Sequence, residues 1–359
     1  MLTSDTHPDG GRAGGLAGGL PGGVSGGFGG GFWAALAALV LALLTVMPAG
    51  VEAQDRSGAV NPTASAVNEK QLLDALKPGQ GINGRSSIPD ARASRLEQPD
   101  GRVFREQRDA NARTGGLAIL GILGVLAVFY LVRGKVRITN GPSGRTVTRF
   151  GFLDRFAHWL TATAFILLAL TGLNVTFGRS ILLPLVGPSA FTSLSVTGKF
   201  VHNYVSFAFV LGLVLMLLLW VKDNFPALRD VRWFLQGGGL IGLGHPPAGR
   251  FNAGQKLIFW SVILVGGAIA FTGYMLMFPF QFSTTIFDMQ WANVWHGFLG
   301  LILTAVIMAH IYIGSVGMEG AFDAMGSGEV DQNWARDHHS IWAEKVLGKP
   351  GDGRAAPAE

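Results

Sequence analysis

Five apolar runs constrain this chain more than any other feature of its sequence. Each run is long enough, or nearly so, to cross a hydrocarbon core about 30 Å thick as an α-helix. Helices are suited to this because they satisfy all their backbone hydrogen-bonding groups internally. The sequence therefore predicts an all-α membrane protein whose helices include Gly116–Val132, Phe156–Phe177, Phe200–Val221, Leu257–Phe280 and Val294–Val316.

The overall composition agrees with a membrane location. Of the residues, 49% are hydrophobic and only 14% are charged, which is typical of an integral membrane protein. The net charge of +5 does not indicate nucleic-acid binding, because the basic residues are scattered through loops rather than gathered with aromatics. Cysteine is absent, which excludes iron–sulfur clusters, haem attached through cysteine, thiol catalysis and disulfides on this chain.

The basic residues of the connections predict how the helices are oriented. By the positive-inside rule, the connections after the first and third runs lie in the cytoplasm. The connections 178–199 and 281–293 carry little charge and are predicted to be periplasmic. We therefore expect a multi-pass protein of a bacterial inner membrane with a cytoplasmic tail, residues 319–359. The basic residues that carry this argument are Arg133, Lys135, Arg137, Arg145, Arg149, Arg155, Lys222, Arg229, Arg232, Arg250 and Lys256.

The sequence before the first apolar run divides into two segments. Residues 1–53 are glycine-rich and end in an apolar stretch, Phe32–Met47, and a small-residue step typical of a signal peptide cleaved after Ala53. An uncleaved anchor is the alternative. Residues 54–114 are charged, mixed in sign and short of aromatics, which predicts a mostly disordered periplasmic segment that includes a short helix around Glu69–Leu76. A docking strand for a partner is the alternative there.

The last apolar run carries an imidazole near each of its ends. His296 and His310 are fourteen residues apart. At about 100° and about 1.5 Å per residue, they lie about 21 Å apart and within about 40° of one helix face. An ionisable group is costly inside a bilayer and by default marks a functional site. One helix therefore offers one imidazole at each of two depths.

Two further histidines match these depths. His158 begins the second run on the predicted cytoplasmic side, and His202 begins the third run on the predicted periplasmic side. Depth alone pairs His158 with His310 and His202 with His296. Two bis-histidine sites, one near each face, are what a transmembrane electron carrier with two haems requires. Because no Cys-x-x-Cys-His motif exists to attach haem covalently, these are expected to be two haem b groups.

A different class of function would use the same histidines without haem. Membrane histidines also hydrogen-bond neighbouring helices or relay protons, so a haem-free membrane transporter or scaffold is the alternative. The histidines outside the apolar runs are weaker candidates. His245 lies in a predicted cytoplasmic loop, and His338 and His339 lie in the tail, where a solvated or docking role is favoured over metal binding.

Several short stretches carry a family resemblance: Phe152–Trp159 (FLDRFAHW), Lys199–His202 (KFVH), Phe251–Trp260 (FNAGQKLIFW), the helix with His296 and His310, and Trp334–Trp342 (WARDHHSIW). From Arg149 to Leu347, the sequence resembles the cytochrome b (gamma) subunit of membrane-bound respiratory formate dehydrogenase. The Asn-Ala-Gly-Gln-Lys segment is the most discriminating. Related di-haem cytochromes of nickel–iron hydrogenases share the four-helix plan but are not expected to carry this segment and the tail together.

The resemblance implies a fold and a set of cofactor residues. It implies a four-helix di-haem cytochrome b domain over residues 149–318, preceded by an extra transmembrane helix at 115–133. Asn252 and Gln255 match a quinone pocket beside the cytoplasmic-side haem. By position alone they are loop or N-cap residues, although a side-chain amide can hydrogen-bond a quinone oxygen. The implied axial ligands of the haem iron are His158 with His310 on the cytoplasmic side and His202 with His296 on the periplasmic side.

The resemblance also implies partners and a function. The chain is expected to receive electrons from a periplasmic iron–sulfur (beta) subunit, and through it from a molybdenum- or tungsten-containing catalytic (alpha) subunit, and to reduce quinone. It would carry no formate-oxidising site itself. Taking protons from the cytoplasm while formate is oxidised outside would contribute to a proton-motive force in respiration. The cytochrome b anchor of a nickel–iron hydrogenase or another quinone-linked oxidoreductase is the alternative.

Overall fold

A computed structural model describes residues 99–240, 244–282 and 285–348. Five of its helices are long and apolar enough to cross a membrane, which confirms the prediction of an all-α, multi-pass membrane protein. The predicted signal peptide and the short helix around Glu69–Leu76 lie outside the described residues. In chain order, the five spans are Gly101–Arg133, Phe152–Ile181, Leu183–Asp223, Ala253–Met277 and Ile286–Gly317.

We name the two ends of the bundle after the orientation predicted from the loop charges. The inner end carries the connecting residues 134–151, 224–240 and 244–252 and the described residues that follow the fifth span. The outer end carries Leu182, the single residue between the second and third spans, and residues 278–282 and 285, between the fourth and fifth spans.

Small residues set how closely the spans pack. The second and third spans form an antiparallel hairpin, and a Cβ at Gly212 would lie only 3.1 Å from Cβ of Thr161. The missing side chain lets these two helices approach each other. Gly266 of the fourth span has the same effect against the third span, because a Cβ there would lie 3.2 Å from the Phe209 ring. The fifth span contacts the first, second and fourth spans.

The first helix is longer than the sequence predicted. It begins at Pro99, so residues 99–114, the last part of the segment predicted to be mostly disordered, are helical. The reason is tertiary contact, which composition does not report. Asn111 is only 9% exposed and donates a hydrogen bond from Nδ2 to the Val294 carbonyl oxygen at 3.0 Å. This bond fixes the polar end of the first helix against the fifth span.

The predicted connection 178–199 is almost entirely helical. The second span continues to Ile181 and the third begins at Leu183. The third span contains a backbone break at Gly187, whose φ of 80° lies in the left-handed region that favours glycine. His202 therefore lies well inside the third span rather than at its start.

The predicted connection 281–293 is shortened in the same way. The α-helix of the fifth span begins at Ile286, directly after Thr285. The Thr285 hydroxyl accepts a hydrogen bond from the Asp288 N–H at 3.1 Å. It therefore caps the helix and satisfies a backbone donor that has no partner within the helix.

The fourth and fifth spans each contain a π-helical turn. The fourth span passes from Ala253–Trp260 through the π turn Ser261–Val265 into Gly266–Met277. In the fifth span, the α-helix Ile286–Tyr312 ends in the π turn Ile313–Gly317. Such turns insert an extra residue into the helical ladder and are frequent at functional sites.

The residues after the fifth span fold back over the inner end. Strand β1 (Thr146–Thr148) pairs antiparallel with strand β2 (Glu329–Asp331), and Val136 bridges to Met318. Residues 319–348, which we call the inner cap, are therefore folded rather than a loose tail. The short helices at this end of the bundle are Leu228–Leu235, Asp323–Gly326, Gln332–His338 and Ser340–Leu347.

The two adjacent histidines belong to the core of the inner cap. His338 is 7% exposed and His339 is fully buried. Each ring centroid lies 5.3 Å from the Trp334 ring. Burial lowers the pKa of His338 to about 4 and the pKa of His339 well below its ordinary value, so both rings are neutral at pH 7. The solvated role predicted for this pair is therefore wrong, because both rings are buried in the chain's own core, and a docking role stays a prediction.

Arg149 lies against the same core. It is 4% exposed, and its guanidinium lies 5.1 Å from the Trp334 ring centroid and 5.4 Å from that of Trp342. Its Nη2 donates a hydrogen bond to the Arg250 carbonyl oxygen at 2.7 Å. Burial, and then the charge of Arg250, lower the pKa of Arg149 to about 9. The side chain therefore stays positively charged at pH 7.

Candidate functional site

At the outer end, His202 of the third span faces His296 of the fifth span. Their ring centroids are 6.0 Å apart and their planes cross at 68°. A metal–imidazole bond is about 2.0 Å long and the ring centre lies roughly 1.2 Å behind its nitrogen, so an iron between two histidines separates their centroids by about 6.4 Å. The spacing of this pair therefore fits one metal ion held between the rings.

At the inner end, His158 of the second span faces His310 of the fifth span. These centroids are 6.2 Å apart and the planes cross at 62°, so the second pair has nearly the same geometry as the first. The structure thus brings together the two pairs that depth predicts. The fifth span supplies one histidine to each pair, which fixes the two sites at opposite ends of one rigid helix.

Hydrogen bonds orient the outer rings. Nδ1 of His202 lies 2.8 Å from the Thr171 hydroxyl. Nδ1 of His296 lies 3.0 Å from the Ile269 carbonyl oxygen and 3.3 Å from the Thr272 hydroxyl. A carbonyl oxygen can only accept, so Nδ1 of His296 carries the proton and Nε2 keeps its lone pair. This is the arrangement that a metal-ligating imidazole needs, because the partner of one nitrogen fixes the other as ligand.

The inner pair lacks such orienting bonds within the described residues. Nδ1 of His158 is buried and has no hydrogen-bond partner there. The ring instead packs edge-on against Trp159 at a centroid distance of 5.0 Å. The Trp159 indole donates from Nε1 to the Met325 carbonyl oxygen at 2.8 Å. The inner histidine is therefore positioned by aromatic packing against the inner cap.

A cavity of about 680 Å³ surrounds the outer pair, a size that suits a bound cofactor. Two glycines line it beside the imidazoles. A Cβ at Gly172 would lie 3.7 Å from Cε1 of His202, and one at Gly273 would lie 3.1 Å from Cε1 of His296. Side chains at these positions would fill the space beside the rings. The cavity and the spacing of the rings therefore both fit a haem.

Asn252 and Gln255 form the N-terminal cap of the fourth span. Asn252 Oδ1 accepts from the Gln255 N–H at 2.9 Å, and Gln255 Oε1 accepts from the Asn252 N–H at 3.1 Å. This reciprocal capping box satisfies two backbone donors. It occupies both side-chain oxygens, whereas neither side-chain amide nitrogen donates a hydrogen bond to another described residue. Both amides therefore keep donors available for a ligand.

Two threonines of the outer site are not among the residues singled out from sequence. Thr171 and Thr272 each precede a glycine that lines the cavity, Gly172 and Gly273. The same dipeptide also occurs at Thr114–Gly115 and Thr197–Gly198, so it does not mark the site in the sequence. Only the folded structure shows which two copies lie beside the outer histidines.

Comparisons with known proteins agree with this geometry. Residues 149–328 match the family model of prokaryotic cytochrome b561. The chain is 28% identical over 208 residues to the nitrate-inducible formate dehydrogenase cytochrome b556(Fdn) subunit of Escherichia coli K12. The aligned region covers 56% of this chain and 92% of that protein. It is 26% identical over 225 residues to the formate dehydrogenase cytochrome b556 subunit of Haemophilus influenzae, covering 60% of this chain and 89% of that protein.

The matched region contains all four paired histidines and the capped start of the fourth span, whereas the first span lies outside it. The region accounts for half of the chain and for four of the five spans found among the described residues. The chain therefore belongs to the prokaryotic cytochrome b561 family.

Proposed function

We propose that this chain is the membrane-embedded cytochrome b subunit of a formate dehydrogenase complex, holding two non-covalent haem b groups and reducing quinone. The observation that carries the proposal is the presence of two histidine pairs, with centroids 6.0 Å and 6.2 Å apart, at opposite ends of one bundle. The relatives named as formate dehydrogenase cytochrome b556 subunits support the choice of complex.

The chain's own residues define a route across the membrane. Each haem, when bound, supplies a one-electron carrier. His202 and His296 hold the carrier at the outer end, and His158 and His310 hold the carrier at the inner end, about 21 Å further along the fifth span. Because the chain has no cysteine, iron–sulfur clusters that feed the outer site must belong to a partner subunit. The molybdenum or tungsten centre would belong to a further, catalytic subunit of the complex.

Quinone reduction is assigned to the inner end. Asn252 and Gln255 lie where the fourth span begins, on the same end of the bundle as His158 and His310. Their amide nitrogens can donate to quinone oxygens without adding a buried charge. Quinone reduction also consumes two protons, and a junction between a loop and a helix is close to water. Proton uptake from the inner side would contribute to a proton-motive force.

One experiment tests the proposal and separates it from its rivals. The tagged protein is purified from its native membrane, and its haem is measured by pyridine haemochrome, by reduced-minus-oxidised spectra and by extraction with acid–acetone. We expect two extractable haem b groups per chain and a copurifying iron–sulfur subunit of a formate dehydrogenase. Copurification of a hydrogenase would favour the anchor alternative. A protein without haem would refute the proposal and favour a transporter or scaffold.

A further inference from the structure

The first span lies outside the region that matches the cytochrome family, yet it is docked against the outer histidine site. Asn111 donates to the Val294 carbonyl oxygen at 3.0 Å, two residues before His296 in the chain. One turn later, Gly115 lies against the fifth span, where a Cβ would approach Cβ of Leu301 to 2.7 Å. A hydrogen bond and a close helix crossing therefore hold this span beside the outer pair.

The same part of the first span lines the cavity of about 680 Å³ around His202 and His296. Among the described residues that line it, the charged ones other than histidine are Arg108, Asp109 and Lys199. Lys199 lies three residues before His202 and therefore about 4.5 Å towards the outer end. Arg108 lies three residues before Asn111, displaced in the same direction. Both cations are thus on the outer rim of the cavity.

We propose that the first span is a structural part of the outer haem site, in which Arg108 and Lys199 bind the carboxylates of the porphyrin. The inference rests on the proposed function, because it needs a haem between His202 and His296. It adds residues of a span that the family match does not include. Asp109 stands on the same rim, so the two cations exceed the fixed negative charge there by one.

The lining of the cavity supports one orientation of the porphyrin. Deeper in the cavity the walls are mostly apolar and include Phe165, Leu168, Phe209 and Ile269, while the Ser206 and Thr304 hydroxyls there donate to carbonyl oxygens of their own helices. A carboxylate turned towards these side chains would lose its water without gaining a partner, which is strongly unfavourable. Turned towards the rim, it meets the Arg108 guanidinium and the Lys199 ammonium group and forms charge-assisted hydrogen bonds. The porphyrin edge that carries the carboxylates is therefore expected to face the outer rim.

The first test removes the rim charges. Arg108→Ala and Lys199→Ala are compared with Arg113→Ala and Arg179→Ala, which remove cations near the outer end that do not line the cavity. Loss of a nearby positive charge favours the ferric over the ferrous haem. We expect each rim variant to raise the ratio of ferric to ferrous outer haem, at a fixed ambient potential, by about threefold to tenfold. A tenfold change corresponds to a reduction potential about 59 mV lower for a one-electron couple. The control variants leave it unchanged.

Optical redox titration provides the readout. The component that disappears in His202→Ala identifies the outer haem, and the other component serves as an internal reference. A rim variant in which only the outer component moves to lower potential supports the proposal. Unchanged outer potentials in both Arg108→Ala and Lys199→Ala would overturn the assignment of the carboxylate partners.

The second test displaces the first span without touching its charges. Gly115→Leu places a side chain where Leu301 already lies, whereas Gly121→Leu, on the same helix, has no neighbour within 4 Å of the added Cβ. We expect Gly115→Leu to lower the occupancy of the outer haem at least tenfold relative to the inner haem, and Gly121→Leu to retain both. Equal loss of both haems, or loss of neither, would overturn the proposal.

These outcomes are distinct from failure of the proposed function. A wild-type protein that binds no haem would refute the proposed function itself. A wild-type protein with two haems whose outer haem responds to none of these variants would refute only the role of the first span. Haem content and potential are measured on the purified full-length chain with its partners, so neither readout depends on formate oxidation.

Discussion

The Thr171 hydroxyl lies 2.8 Å from Nδ1 of His202 and 2.8 Å from the Leu167 carbonyl oxygen one turn earlier. The carbonyl oxygen can only accept, so the hydroxyl proton is directed to it. The hydroxyl oxygen must then accept from Nδ1–H of His202, which leaves Nε2 unprotonated and turned towards His296. A threonine in an apolar helix thus fixes the tautomer of an imidazole on another helix.

Replacing Thr171 by valine keeps the shape of the side chain and removes the hydroxyl, which accepts from His202 and donates to the Leu167 carbonyl oxygen. A buried donor left without a partner costs about 1–3 kcal/mol, and losing the hydrogen-bond partner of a ligating histidine typically weakens metal affinity about 10- to 100-fold. We expect Thr171→Val to release the outer haem more readily and to raise its reduction potential, because the imidazole becomes a weaker donor to ferric iron. Haem retention and a redox titration measure both effects.

Thr192→Val is the matched control for this substitution. Thr192 lies on the third span, and its hydroxyl donates to the Pro188 carbonyl oxygen at 2.8 Å on its own helix, away from the cavity. Thr192→Val should therefore leave haem binding unchanged. If Thr171→Val behaved like Thr192→Val, the orienting role of Thr171 would be wrong.

The four histidines should separate into two functional pairs. His158→Ala and His310→Ala are each expected to remove the inner haem and to abolish quinone reduction, while the outer haem remains reducible by the partner subunit. His202→Ala and His296→Ala should instead stop electron entry. Haem counts combined with stopped-flow reduction distinguish the two pairs. Equal losses of protein yield in all four variants, with no difference in which haem survives, would remove the support for the route.

The capped start of the fourth span allows the quinone donors to be tested without breaking the cap. Asn252→Asp and Gln255→Glu keep the side-chain oxygen that accepts a backbone hydrogen bond and replace the amide donor. Losing a hydrogen bond to a buried quinone oxygen costs about 1–3 kcal/mol, or roughly 5- to 150-fold in affinity. We expect both haems to bind and to be reduced normally but to be reoxidised more slowly by quinone.

Asn252→Ala serves as the comparison, because it removes the donor and the cap together. It should slow reoxidation and also lower stability by about 1 kcal/mol. Stopped-flow reoxidation and inhibition by quinone analogues provide the measurement. If Asn252→Asp and Gln255→Glu kept wild-type rates and inhibition, these two side chains would only be capping groups.

The inner cap should loosen as the pH falls. Burial, and then the neighbouring His245, lower the pKa of His338 to about 4, with Asp337 opposing and Arg149 reinforcing the shift. Burial and then Arg149 lower the pKa of His339. When the cap opens, both residues regain an ordinary pKa of about 6.5, so the open form binds more protons between pH 6.5 and 4. Stability is therefore full above pH 6.5 and is lost below it.

Hydrogen exchange of the inner cap checks this dependence. We expect exchange of residues 319–348 to accelerate between pH 7.5 and pH 5, after correction for intrinsic rates, while the spans stay protected. His338→Gln removes one of the titrating groups and should reduce the pH dependence. A cap whose protection did not change over this interval would contradict the assignment of two neutral, buried imidazoles.

The sequence by itself determined the number of spans in the described chain and the relative depth of each of the four paired histidines. Hydrocarbon thickness fixes how many apolar residues a span needs, and the constant rise of a helix converts residue number into depth. For that reason the pairing of His158 with His310 and of His202 with His296 follows from residue number and loop charge alone. Ligation of haem by these pairs remains a prediction that the proposed experiments test.

Only the tertiary structure decided which faces of the helices meet and where polar segments become ordered. The helix at residues 99–114 and the burial of His338 and His339 depend on contacts with residues distant in the chain, as shown by the bond from Asn111 to Val294. Local composition cannot report such contacts, because the same polar residues are disordered when no partner surface is near. The depth of a residue along the membrane normal follows from its place in the sequence. The rotation of each helix about its own axis and the docking of polar segments follow from packing.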